Sequence, residues 1–195
     1  MANNVNNSLA VVQISEEGQK VWDSIMARID ALPDNKHLTG LFYEADSDGY
    51  WITPEGVYAG DAVGAKWAYP YDYDDCYINI ESAWGPVIPF AEYIAEEIGK
   101  VDPDVRLVMT YEDEMPNFIG VTTFTADGID TDNCLDADDV QEYLFEQHPD
   151  IGEMWDEDEG DWKEGKEDDA WDAMSEVQWD VYNQWQEENT EWSAQ

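Results

Sequence analysis

Residues 76–111, CYINIESAWGPVIPFAEYIAEEIGKVDPDVRLVMTY, decide the fold. Residues 76–83 alternate and predict a strand with one buried face. Pro86 and Pro89 then open a helix, because proline's fixed φ and missing N–H suit a first helical turn. Phe90, Ala91, Ile94 and Ile98 form one face of that helix, and Gly99 ends it. Val105, Leu107, Met109 and Tyr111 alternate along a second strand. Glu112-Asp113-Glu114-Met115-Pro116 turns the chain into a third strand at 117–125, ended by Asp127-Gly128. Strand, helix, strand, hairpin, strand predicts an α+β sandwich with the helix on one sheet face.

On the N-terminal side, residues 1–14 read as a loose lead-in. Ser15 caps a helix with Glu16 and Glu17 in its first turn, where the helix end favours negative charge. Val21, Trp22, Ile25, Ile29 and Leu32 follow at helical spacing, and Pro33-Asp34-Asn35 stops it. Two short strands, 39–44 and 50–53, are expected to pair across Asp46-Ser47-Asp48-Gly49. On the C-terminal side, Asp138 to Gln147 predicts a short helix carrying Val140, Tyr143 and Leu144, closed by Pro149. Residues 152–167 read as a Gly- and acid-rich linker or loop, and 168–192 as a long helix. The expected organisation is an α+β domain at 1–150 and an acidic, Trp-rich helical extension at 151–195 packed on it.

Charge narrows the function. The 195 residues hold 47 acids against 8 Lys and Arg, a formal net charge of -39. Such repulsion destabilises a compact state, and strongly acidic chains are often disordered. Here 43% of residues are hydrophobic, with 10 Trp and 11 Tyr, which implies a folded protein with an acidic exterior. Eight scattered basic residues cannot supply the clusters that phosphate binding needs, so direct nucleic-acid binding is not expected. No apolar run is long enough for a membrane span, and Met1 to Ala10 does not read as a signal peptide. Cys76 and Cys134 define neither a disulfide framework nor a zinc site, so a reduced cytoplasmic setting is the expectation.

Four short segments carry a resemblance: Gly64-Ala65-Lys66-Trp67, Glu81-Ser82-Ala83-Trp84-Gly85-Pro86, Tyr111-Glu112 and Asn117-Phe118-Ile119-Gly120. In this order they resemble the YubB-type ferredoxin-like domain of bacterial plasmids and phages, over roughly residues 60–127. The chain departs from the family's pattern at Ala65, Ala68 and the single proline after Gly85. The resemblance implies a ferredoxin-like antiparallel sheet with a packed helix, its core at about 60–127, and a mobile-element origin, and no activity.

The 168–192 helix has two faces at 100° per residue. Trp171, Met174, Val177, Val181, Tyr182, Trp185 and Trp192 fall on the side expected to be core. Asp168, Asp169, Asp172, Glu176, Asp180, Glu187 and Glu191 fall opposite, with Trp179 beside them. Asp168, Asp172, Glu176 and Asp180 form an i,i+4 ladder whose three like-charge pairs cost about 1 kcal/mol together. The ladder spaces carboxylates about 6 Å apart, against about 3.4 Å per phosphate along a DNA strand. Flanking rows such as Asp169 bring the two spacings closer.

Other chemistries lack a constellation. His37 and His148, the only histidines, each sit at a predicted helix end, and no P-loop, Rossmann glycine pattern or nucleophile elbow occurs. A calcium loop starting at Asp130 places Asp132 correctly, but Cys134 and Leu135 then fail. No enzyme, metal or cofactor is therefore expected. The leading expectation is a phage or plasmid nucleic-acid mimic that occupies the basic cleft of a host DNA-binding defence protein of restriction or CRISPR type. Its candidate contacts are Asp156, Glu157, Asp158, Glu159 and Asp161, the helix residues Asp168, Asp169, Asp172, Glu176, Trp179, Asp180 and Glu187, and the turn Glu112, Asp113 and Glu114. The alternatives are an acidic adaptor that grips another basic partner, and a halophile-type protein acidic only to stay hydrated. The sequence leaves the oligomeric state open.

Overall fold

The computed structural model describes residues 3–33, 37–43, 59–156 and 159–190. The fold is α+β: a six-stranded antiparallel sheet with packed helices, followed by a C-terminal helical part. The chain divides into two compact units, Met1–Met115 with Gly120–Asn133, and Pro116–Ile119 with Cys134–Gln195. The 138–147 helix thus lies in the second unit, on the other side of the division from where a boundary at 150 puts it.

The first unit begins with a correction. Residues expected to be a loose lead-in form β1 (Asn4–Gln13), an interior strand of the sheet. After α1 (Glu16–Asp30) come β2 (Ala68–Tyr73), β3 (Tyr77–Ala83), α2 (Ile88–Gly99), β4 (Arg106–Asp113), β5 (Phe118–Thr125) and β6 (Gly128–Asp136). The strand order is β2-β3-β1-β4-β5-β6. Strand β1 runs antiparallel to both β3 and β4, so those two are parallel, joined by α2 across β1. This is the split βαβ arrangement of ferredoxin-like folds.

Register explains why β1 belongs inside. Val5 lies opposite Ser82 and Asp113, Asn7 opposite Ile80 and Tyr111, and Leu9 opposite Ile78 and Met109. All nine are buried, and opposed residues share a sheet face. Asn7 breaks the apolar alternation of β1, which is why the strand is hidden in the sequence. Its amide is nonetheless fully used: the two hydrogens of Nδ2 are shared among the carbonyls of Val5 and Ile80 at 3.1 Å and Ser82 Oγ at 2.9 Å. Oδ1 accepts from Val87 N at 3.0 Å. A buried polar group so satisfied carries little penalty and pins the β3–α2 loop.

The helices follow their sequence signals. Ser15 Oγ accepts from Gly18 N at 3.2 Å and caps α1, while Asp102 Oδ2 accepts from Ser15 N at 2.5 Å. Gly18 leaves room for that carboxylate, since a Cβ there would meet Asp102 Oδ2 at 2.9 Å and Ile14 Cγ1 at 2.8 Å. Trp22, Ile25 and Ile29 of α1 and Phe90, Ile94 and Ile98 of α2 are buried, and the two helices pack on each other. The expected strands at 39–44 and 50–53 lie outside the described residues except at 39–43. There Leu38–Leu41 forms a 3-10 turn instead, capped by His37, whose Nδ1 accepts from Thr39 N at 3.2 Å. Residues 130–135, tested as a calcium loop, are part of β6, and residues 68–73 form an edge strand that the sequence reading missed.

The second unit holds α3 (Ala137–Gln147), α4 (Pro149–Gly152), a hairpin of β7 (Trp155–Asp156) and β8 (Asp161–Trp162), and α5 (Glu167–Asn189). The hairpin replaces the expected linker. Leu144, Ile151, Met174 and Val181 form the core here, with Tyr143, Phe145, Trp162 and Val177 packed around them. Asp136 caps α3 by accepting from Asp138 N at 3.1 Å and Asp139 N at 3.2 Å, which gives part of that acidic run a structural task.

A candidate acidic binding face

Helix α5 builds the face. Its buried stripe is Ala170, Met174, Gln178, Val181, Tyr182, Trp185 and Gln186. Turned away from it, Asp168, Asp169, Asp172, Glu176, Asp180 and Glu187 are all exposed. Lys166 Nζ reaches Asp169 Oδ2 at 3.1 Å in a solvent-exposed pair. Among the described residues no ion pair involves Asp168, Asp172, Glu176 or Asp180. The ladder read from the sequence therefore stands in solvent, uncompensated, on a helix held by its other side.

Two aromatic residues depart from simple expectations. Trp171, expected in the core, is 44% exposed, because the buried stripe runs through Ala170 and Met174 and leaves position 171 at its edge. Trp179 is also 44% exposed, and its ring meets Tyr182 of the same helix edge-on at 5.8 Å. It stands among the carboxylates.

The remaining candidates divide. Asp156, Glu159 and Asp161 belong to the β7–β8 hairpin of the same unit as α5. Asp156 Oδ1 accepts from Glu159 N at 3.3 Å and so braces the hairpin turn, while Asp161 and Glu159 are exposed. Glu157, Asp158, Glu191 and Trp192 lie outside the described residues. The turn acids Glu112, Asp113 and Glu114 belong to the other unit. Asp113 is corrected: it is 2% exposed, because register places it opposite Val5 on the core face, and its Oδ1 accepts from Met115 N at 2.9 Å. Glu114 is exposed and its Oε1 accepts from Asn4 N at 3.0 Å, whereas Glu112 is half-buried.

Two of the quoted segments, 64–67 and 81–86, meet at one place. Trp67 and Trp84 stack with centroids 5.7 Å apart, and Lys66 Nζ lies 4.9 Å from each ring centroid. Trp84 holds φ at 68°, a left-handed conformation that a bulky side chain rarely adopts, and its ring is 52% exposed. Its N–H donates to Asn3 O at 3.1 Å, and Ser82 Oγ donates to Gly85 O at 2.7 Å. Gly64, at φ 96°, cannot be replaced, since a Cβ would sit 2.5 Å from Pro89 Cδ.

Both histidines sit at helix ends. Burial pushes the His37 imidazole below its ordinary pKa, against the raising effect of the Lys66 carbonyl. His148 closes α3. Among the described residues Asp74, Asp75 and Cys76 bring three potential ligand atoms together, all exposed. Asp74 Oδ1 is already engaged there, accepting from Cys76 N at 2.8 Å and Tyr77 N at 3.3 Å to form the β2–β3 turn. The hydrogen bond to Asp74, with lesser help from desolvation and nearby charge, raises the Cys76 thiol and disfavours its nucleophilic thiolate.

Sequence reasoning missed the aromatic residues of the hairpin, Trp155 and Trp162, because two-residue strands give no periodic signal. No protein-family model, curated protein or solved structure matches this chain.

Proposed function

We propose that this chain is an acidic nucleic-acid mimic of phage or plasmid origin, which inhibits a host DNA-binding defence protein of restriction or CRISPR type. One observation carries the reading: α5 holds exposed, unpaired carboxylates at one-turn spacing on a helix whose opposite side is buried. Repulsion along that row works against folding, so its persistence is explained by attraction to a strongly basic surface. The carboxylates stand in for phosphates against Lys and Arg, and the net charge of -39 steers the encounter. The mobile-element origin rests on the resemblance alone, and the host cytoplasm is the location that such an origin would imply. No described helix is long and apolar enough to cross a membrane.

The test is capture of a target from host lysate with excess duplex DNA as competitor. A mimic loses its target to DNA and to rising salt. Retention of the target under both conditions rejects the reading and favours the adaptor alternative. Charge reversal of Asp172, Glu176 and Asp180 to Lys then locates the contact: undiminished binding moves it off α5.

A further inference from the structure

The second unit contains an apolar cavity of about 390 Å³ at the edge of its core, away from the acidic ladder. Leu144, Phe145, Trp155, Trp162, Trp171 and Met174 line it. The rings form a continuous wall: Trp155 and Trp162 are edge-to-face at 5.0 Å, Phe145 and Trp162 at 5.9 Å, and Trp162 and Trp171 at 6.4 Å. Asp161 and Glu167 reach the same cavity, and both are exposed. A second cavity of about 490 Å³ shares Gln141, Phe145 and Trp155 with the first, and Asp138, Glu142 and Glu146 line it. An aromatic well thus opens between acids on the hairpin and α5 and acids on α3.

This arrangement selects its occupant. No Lys or Arg lines either cavity. Anionic ligands such as nucleotides, acidic peptides and phosphate headgroups would meet carboxylates with no compensating cation. An aliphatic side chain fits the well, and cations fit its acidic rim on both sides. Two cavities joined by shared residues suit an extended ligand rather than a compact one.

We infer that the well docks a basic amphipathic segment of a partner protein, seating one apolar side chain against the wall of Trp155, Trp162 and Trp171 with its flanking Lys or Arg residues on the carboxylate rim. The inference rests on the proposed basic partner and adds the apolar anchor by which that partner is held. Charge then governs the speed of encounter and the well governs residence, since long-range steering acts mainly on association.

The test uses the full chain and two capped peptides, acetyl-Arg-Arg-Leu-Arg-Arg-amide and the same peptide with Gly in place of Leu. Calorimetry gives affinity, and acrylamide quenching of tryptophan fluorescence reports cover of the well. The Leu peptide binds about ten- to hundredfold more tightly than the Gly peptide, the range expected for burying one leucine. Trp171→Ala removes most of that difference, whereas Glu142→Gln with Glu146→Gln weakens both peptides alike. The Leu peptide, unlike the Gly peptide, shields tryptophan from quencher, and this readout needs no variant to fold. Equal affinity of the two peptides, equal quenching, or a Leu advantage that survives Trp171→Ala overturns the inference. Its failure is distinct from that of mimicry: equal peptides with a DNA-displaceable target remove the well and keep the mimic, and the reverse pattern does the opposite.

Discussion

Replacing Glu176 by Lys should make the protein more stable and a weaker binder at once. Glu176 lies one turn from Asp172 and one turn from Asp180, and all three carboxylates are exposed on α5. Each like-charge pair at this spacing costs about 0.2–0.5 kcal/mol, and an opposite-charge pair returns a similar amount. Glu176→Lys therefore swings each of the two pairs by about 0.4–1 kcal/mol, or about 0.8–2 kcal/mol together at low ionic strength. For a domain of this size, 1 kcal/mol moves the midpoint by roughly 2–4 °C, so a rise of about 2–8 °C is expected. Thermal unfolding followed by circular dichroism reads it directly. In about 1 M salt, where screening acts over roughly 3 Å, most of the gain disappears. Affinity for the captured target should fall in the same variant, because the introduced ammonium faces the partner's own cations. An unchanged or lowered midpoint at low salt would refute the reasoning, since the ladder would then not stand free in water. A rise in stability with unaltered binding would separate the ladder from function.

Two further expectations concern the sheet unit. Leu9→Ala should cost about 2–5 kcal/mol in a denaturant titration, as for a leucine lost from a packed core; a loss below about 1 kcal/mol would contradict the interior position of β1. Asp102→Asn should destabilise by about 1.5–3 kcal/mol near neutral pH, because a buried carboxylate accepts from Ser15 N and Asp104 N. Burial works to raise the Asp102 pKa, but the hydrogen bonds from Ser15 and Asp104 outweigh it and leave it lowered. A lowered folded pKa contributes stability above the unfolded value near pH 4 and loses it as pH falls through the folded value. The gap between wild type and Asp102→Asn should therefore be full at neutral pH and close below about pH 4. A gap independent of pH would mean that the carboxylate's charge is not what Ser15 requires.

The elements legible in the sequence are those whose residues report on their neighbours in the chain. Helix α2 shows its proline start and its Phe90, Ile94 and Ile98 face, α1 shows its Ser15 cap, and α5 shows both its faces. Strand β4 declares itself through Leu107, Met109 and Tyr111. The exposed ladder at Asp168, Asp172, Glu176 and Asp180 belongs to the same class, because a helix with one buried side must present the other to water.

Features set by distant partners were not legible. Asn7 reads as a loop residue until Ile80, Ser82 and Val87 close around its amide. Asp113 reads as a surface acid until pairing with β1 turns it inward beside Val5. Trp155 and Trp162 read as linker until the two-residue strands pair and α3 and α5 supply the other walls of the well. Periodicity encodes which side of an element is apolar. Strand register and the meeting of remote side chains depend on contacts far apart along the chain, and no local pattern records them.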